Sequence, residues 1–80
     1  MQSMQILADD TIGQRIRRAR RRKGWTQAEL GLRSGLRESV ICKYELGYHI
    51  PNPENLSRIA DALGVSVDYL LGRRKYENQA

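Results

Sequence analysis

With 80 residues, the chain can build one small domain around a single core, and it is too short for a large sheet with a deep catalytic cleft. Fourteen Lys and Arg against nine Asp and Glu give a formal charge of +5 and a pI near 9.9, the balance of a domain that meets polyanions. A single Cys and a single His exclude a disulfide framework and a zinc site built from several such ligands.

The opening stretch, MQSMQILADD, has neither a basic region nor a long apolar run. No later segment approaches the roughly 18 apolar residues of a membrane span. The expectation is a cytoplasmic protein without a membrane partner, with residues 1–10 as a flexible arm, 11–72 as the folded domain and 73–80 as a polar tail.

The first helix is expected to start after Asp10 or Thr11, where Thr11 and Gln14 have capping-box spacing, and to end at Gly24 after a basic last turn. Ile12, Ile16 and Ala19 form its core stripe. RIRRARRRK, residues 15–23, carries seven basic residues in nine. Arg17, Arg18 and Arg21 project opposite the stripe and read as a solvated face. Trp25 precedes Thr26 as a hydrophobic staple would, and is expected to plug the gap before the next helix.

Thr26 and Glu29 form a second capping box, opening a helix over Gln27 to Ser34 with Leu30 as its bulk and Gly31 and Ser34 small on the inner side. Gly35 supplies the left-handed turn and Leu36 the following buried contact. On the next helix, Glu38 to Leu46, a wheel at about 100° per residue groups Val40, Ile41 and Tyr44 on one arc, with Glu38, Ser39, Cys42 and Lys43 across from it. One face packs and the other is left to read. Asn52 and Pro53 open a fourth helix with Leu56, Ile59, Ala60 and Leu63 at helical spacing, and Gly64 ends it. Ser66 and Asp68 open a short fifth helix whose Val67, Leu70 and Leu71 close the core. Leu32, Leu46, Ile50 and Tyr69 exceed what so small a core needs and suggest a partner surface.

The order and spacing of these features resemble the DNA-binding domains of phage-repressor and Cro type, the lambda-repressor-like family, from about Ile12 to Gly72. The features that carry the resemblance are the basic first helix, Thr26-Gln27-x-x-Leu30, Gly31, Gly35, Ile41, Lys43-Tyr44-Glu45 with Gly47, Asn52-Pro53, and Ala62 to Asp68. The resemblance implies an all-α, compact five-helix bundle with a helix-turn-helix made by helices 2 and 3. It also implies a sequence-specific regulator of double-stranded DNA, a repressor acting as a homodimer on a palindromic operator, and no enzyme. No cofactor, metal or small-molecule ligand is expected.

In that family the third helix lies in the major groove and the second crosses the backbone. The positions matching base contacts are Arg37, Glu38, Ser39 and Lys43. Gln27 is the leading phosphate contact, joined by Thr26, Arg20 and Cys42, and Arg20 also matches the family arginine that pairs with Glu45. Dimerisation is expected through Leu46, Ile50, Val67, Tyr69, Leu70 and Leu71. Two positions depart from the family pattern: Arg37 stands where Ser or Thr caps the third helix, and Ser34 replaces an apolar residue. Cys42 reads as a small residue fitting against DNA rather than a redox sensor, and His49 as an ordinary loop histidine rather than a pH switch. The rival of a different class is a protein-interaction module of the same fold, an antitoxin or an adaptor. A membrane-surface role for the first helix is disfavoured because its narrow apolar stripe is wanted by the core.

Overall fold

The computed structural model describes residues 11–73; the expected arm over 1–10 and residues 74–80 of the expected tail lie outside the described residues. It contains α1 (Ile12–Lys23), α2 (Gln27–Ser34), α3 (Glu38–Leu46), α4 (Pro53–Leu63) and α5 (Val67–Leu70), with no strand among the described residues. The all-α, five-helix architecture expected from the sequence is therefore the observed one.

Four of the five N-termini are closed by their own side chains. Thr11, Thr26, Asn52 and Ser66 accept from the amides of Gln14, Glu29, Asn55 and Tyr69 at 2.8–3.1 Å. At α2 the box is reciprocal, because the Thr26 amide donates to the Glu29 carboxylate at 2.8 Å. Each such cap satisfies an amide that the helix cannot, which is worth about 1 kcal/mol. The exception is α3, where Arg37 makes no side-chain cap bond.

Each helix sends one large side chain fully inside: Ile16, Leu30, Ile41, Ile59 and Leu70, from α1 to α5 in order. Burial of a side chain of this size stabilises the fold by about 1.5–3 kcal/mol, so the five together form the centre about which the helices are arranged. Ala19, Tyr44, Leu56, Ala60, Leu63 and Tyr69 complete the core. Packing is closest between α2 and α3, with α1 against α3 and α4 against α2. The Tyr44 hydroxyl accepts from Asn55 Nδ2 at 2.9 Å and ties α3 to α4.

Two close approaches set the position of α3. Gly13 is buried, and a Cβ there would collide with the backbone carbonyls of Tyr44 and Glu45. A Cβ on Gly31 would lie 2.6 Å from the Leu36 carbonyl oxygen, so α2 meets the start of α3 only because residue 31 has no side chain. Between them Gly35 turns the chain at φ 75°, and its amide bonds back to carbonyls of α2. Ser34, polar but buried on the inner side as expected, donates its hydroxyl to the Leu30 carbonyl at 2.7 Å, which explains why a hydroxyl is tolerated where the resembled pattern has an apolar residue.

The fold also uses cations in a way the sequence did not announce. Arg58 Nη1 lies 3.7 Å from the Cβ position of Gly35, at the C-terminus of α2, and Lys23 Nζ lies 3.8 Å from that of Gly64, at the C-terminus of α4. Each positive group thus faces the negative end of a helix other than its own, the favourable sense of the macrodipole.

Several sequence expectations need correction here, among them Leu71, expected to close the core but 41% exposed just past the end of α5. Tyr69 and Leu70, assigned to a dimer surface, are 4% and 0% exposed; the short α5 turns both rings and branches inward to cover α1 and α4, so neither is available to a partner. Trp25 is half-buried rather than a core plug: it touches the core, while the Arg33 guanidinium lies 4.4 Å and Lys23 Nζ 5.7 Å from its ring centroid. The ring closes the α1–α2 corner under a pair of cations.

Candidate nucleic-acid interface

The helix pair α2–α3 presents two unlike faces because its inner side is filled. On α3, Ile41, Tyr44 and Glu45 are buried and Val40 half-buried, while Glu38, Ser39 and Lys43 are exposed and Cys42 is half-buried at the edge. The division follows the wheel drawn from the sequence. Arg37 is exposed at the N-cap, and the first α3 amides are left without a side-chain partner from it. Serine in place of Arg37 is expected to stabilise the domain by about 1 kcal/mol through a new cap, raising Tm by roughly 4–8 °C in a domain of this size. A thermal melt followed by circular dichroism reads this directly, and an unchanged Tm would mean that the first turn of α3 gains nothing from a side-chain cap.

Behind this face lies a network centred on one buried carboxylate. Glu45, 5% exposed, accepts from Arg20 Nε at 2.7 Å and from Arg20 Nη2 at 3.0 Å, a bidentate pair, and from Gln27 Nε2 at 3.1 Å. Arg20 Nη1 donates to the Trp25 carbonyl at 2.7 Å. The hydrogen bonds to Glu45 hold the Arg20 guanidinium above its usual pKa against the opposing effect of burial. A raised pKa on a base means that the guanidinium's contribution is fully present below the ordinary arginine range and is lost only as pH rises through the raised value, so Arg20 stays charged through neutral pH. Three helices meet in these bonds: α1 through Arg20, α2 through Gln27 and α3 through Glu45.

This arrangement redistributes the roles expected from the sequence. Arg20 is 9% exposed with a bond on each of its three nitrogens, which suits a brace and leaves little of it for a phosphate. Gln27 is half-buried with one amide N–H held by Glu45, so a second N–H and the backbone amides at the start of α2 remain to face outward. The Thr26 hydroxyl accepts from Glu29 and keeps its own proton for donation. The Gln27–Glu45 bond is not legible in the sequence, because the residues are 18 apart and no local pattern links them.

The remaining candidates are the expected dimer residues that lie outside the core. Leu46, Ile50 and Leu71 are 59%, 77% and 41% exposed, and Val67 is half-buried. A groove of about 430 Å³ lies between the start of α1 and the segment after α3, lined in part by Ile12, Leu46, His49, Ile50 and Pro51. Among the described residues there is no group of His, Cys, Asp and Glu that would hold a metal, and no helix is long and apolar enough to cross a membrane.

Residues 16–70 match the family model described as helix-turn-helix. The chain belongs to that helix-turn-helix family. Within it, the chain is 40% identical over 62 residues to the cryptic phage CTXphi transcriptional repressor RstR of Vibrio cholerae, covering 78% of this chain and 55% of that protein. It is 32% identical over 63 residues to the HTH-type transcriptional regulator ImmR of Bacillus subtilis, covering 79% of this chain and 50% of the other. The chain therefore spans about half the length of these curated relatives. A third relative, multiprotein-bridging factor 1 of Schizosaccharomyces pombe, is 37% identical over 57 residues, 71% of this chain and 38% of that protein. Among solved structures, the P22 c2 repressor in complex with a synthetic operator superposes with a TM-score of 0.76 at 38% identity, covering 80% of this chain and 97% of that one. The lambda-repressor-like fold implied by the sequence resemblance is thus the fold of this helix-turn-helix protein.

Proposed function

We propose that this helix-turn-helix protein is a sequence-specific, double-stranded DNA-binding transcriptional regulator of the cytoplasm, a repressor that occupies its operator as a homodimer. The observation that carries the reading is the two-sidedness of α3: Ile41, Tyr44 and Glu45 lock one side while Glu38, Ser39 and Lys43 stand exposed on the other. Lys43 suits guanine O6 and N7, Glu38 accepts from cytosine N4, and Ser39 suits several bases. Arg37, at the entrance to the helix, brings a bidentate fork for guanine or a phosphate. Gln27 and Thr26 donate to a phosphate from the start of α2, where the helix dipole favours an anion, and Cys42 fits against the backbone beside them. Arg20 acts through this set, holding Glu45 and with it Gln27. That the similar P22 c2 repressor was solved in complex with a synthetic operator supports DNA as the ligand.

One α3 contacts only a few base pairs, so useful affinity calls for two copies on a two-fold site with half-sites about 34 Å apart. Exposed Leu46, Ile50 and Leu71, with the edge of Val67, are the side chains proposed to meet across that axis. Selection of bound sites from random DNA is expected to return a palindrome with that spacing. Enrichment of a single unrepeated half-site would overturn the dimer, and no enrichment at all would overturn sequence-specific reading. The likeness to a multiprotein-bridging factor, together with Leu32 at 84% and Tyr48 at 73% exposure, favours an adaptor that binds another protein as the second reading. The failure of selection combined with loss of all salt dependence would favour that reading.

A further inference from the structure

Half of the chain's 14 basic residues lie on α1, which contains no acidic residue. They are not spread evenly around it. Gln14, Arg17, Arg18, Arg21 and Arg22 recur at spacings of three and four and together line a recess of about 410 Å³ on the outer side of the helix. The α1 surface that meets α3 is a different sector, where Gly13 lies against Tyr44 and Glu45 and Arg20 grips Glu45. At about 100° per residue, the centre of the arginine stripe is roughly 120° around the helix from that sector. The centre of the stripe is therefore turned away from the contact of α1 with α3.

We infer that this stripe is a second DNA-binding face, which holds the phosphate backbone of a duplex without reading its sequence. Guanidinium groups match phosphate oxygens with a planar fork, and the site is built from arginines rather than lysines. Arg17 and Arg18 stand one turn, about 5.4 Å, before Arg21 and Arg22, while a DNA strand offers a phosphate for about every 3.4 Å of axis. Two tiers of guanidinium thus reach nearby phosphates of one strand. An anionic lipid surface fits less well, because the apolar residues of α1 that would insert, Ile16 and Ala19, are 0% and 2% exposed in the core. The inference stands on the α1 recess and does not require α3 to read bases.

The test is the salt dependence of binding to a random-sequence 20-base-pair duplex by the full chain and its variants. Arg17→Gln/Arg21→Gln is expected to flatten the slope of log affinity against log salt by about two per protomer, to weaken binding equally on all sequences, and to leave selected-site preference unchanged. Lys43→Glu is expected to keep most of the binding to the random duplex. Thermal melting and Trp25 fluorescence verify that each variant is folded; should the double variant fail to fold, Arg21→Gln alone is expected to flatten the slope by about one. An unchanged slope in the folded double variant overturns the inference, as does complete loss of random-duplex binding in Lys43→Glu. Equal binding to phosphatidylserine vesicles, reduced by the same double variant, overturns the choice of DNA. Energy transfer between two differently labelled duplexes then distinguishes a second duplex, where a signal appears, from flanking DNA of the same duplex, where lengthening one duplex raises affinity without a signal. A selection experiment that returns no preferred site removes the α3 reading alone, because the random-duplex slope is measured independently of it.

Discussion

Lys43→Glu is expected to lower affinity for a selected operator by about a hundredfold or more, with Tm unchanged within a degree or two. The basis is the exposure of Lys43 on α3, outside the Arg20–Glu45–Gln27 network that braces the helix. A well-placed base contact is worth about 1–3 kcal/mol of discrimination. Reversing the charge adds repulsion from the phosphates and removes one released counterion, so the loss exceeds that of neutral truncation. Fluorescence anisotropy on the selected site and on a scrambled one distinguishes reading from general attraction. A reader at this position loses the difference between the two sites. If Lys43→Glu kept full operator preference, α3 would not be the reading element, whatever its exposure.

The second large effect is on stability. Arg20→Ala is expected to destabilise the domain by about 3–5 kcal/mol, because it leaves the Glu45 carboxylate buried with its bidentate partner gone. In a domain of this size that lowers Tm by more than about 12 °C. The accompanying change is at Gln27, whose amide is held by the same carboxylate, so operator affinity measured well below Tm is expected to fall as well. Replacing both partners by apolar residues of similar size, Arg20→Met with Glu45→Leu, is expected to recover most of the stability, since no charge is then stranded. It is not expected to recover the lost affinity, because Gln27 then has no anchor. Thermal melts of the single and double variants, with binding recorded on each, separate the two roles. A single variant as stable as the parent would show that the pair is not holding α1 to α3.

Local physical chemistry makes much of this domain legible in its sequence. Thr11, Thr26, Asn52 and Ser66 mark helix starts because a short side-chain oxygen beside a free amide has an energetic consequence within three residues. The packed and open sides of α3 followed from periodicity, since a helix with Ile41 and Tyr44 on one arc has one face to bury. Tyr69 and Trp25 are less legible. Both are large amphipathic side chains, and whether such a ring is covered depends on what the neighbouring helix brings to it, which no single segment encodes. The Gln27–Glu45 bond, the cations at the C-termini of α2 and α4, and the separation of the α1 recess from α3 were likewise invisible, since each joins residues distant in sequence.

The sequence by itself determined the number and limits of the helices, the glycine turn at residue 35, and which residues of α3 are free to meet a ligand. Those properties depend on caps, backbone conformation and helical period, all of which act within a few residues. Only the tertiary structure decided that Arg20 is a brace, that Gln27 shares its carboxylate, that Tyr69 and Leu70 belong to the core, and that the arginines of α1 form a surface of their own. Those outcomes depend on which side chains meet when Ile16, Leu30, Ile41, Ile59 and Leu70 converge. Burial then leaves each polar group to find its partner among whatever the other helices have brought within reach.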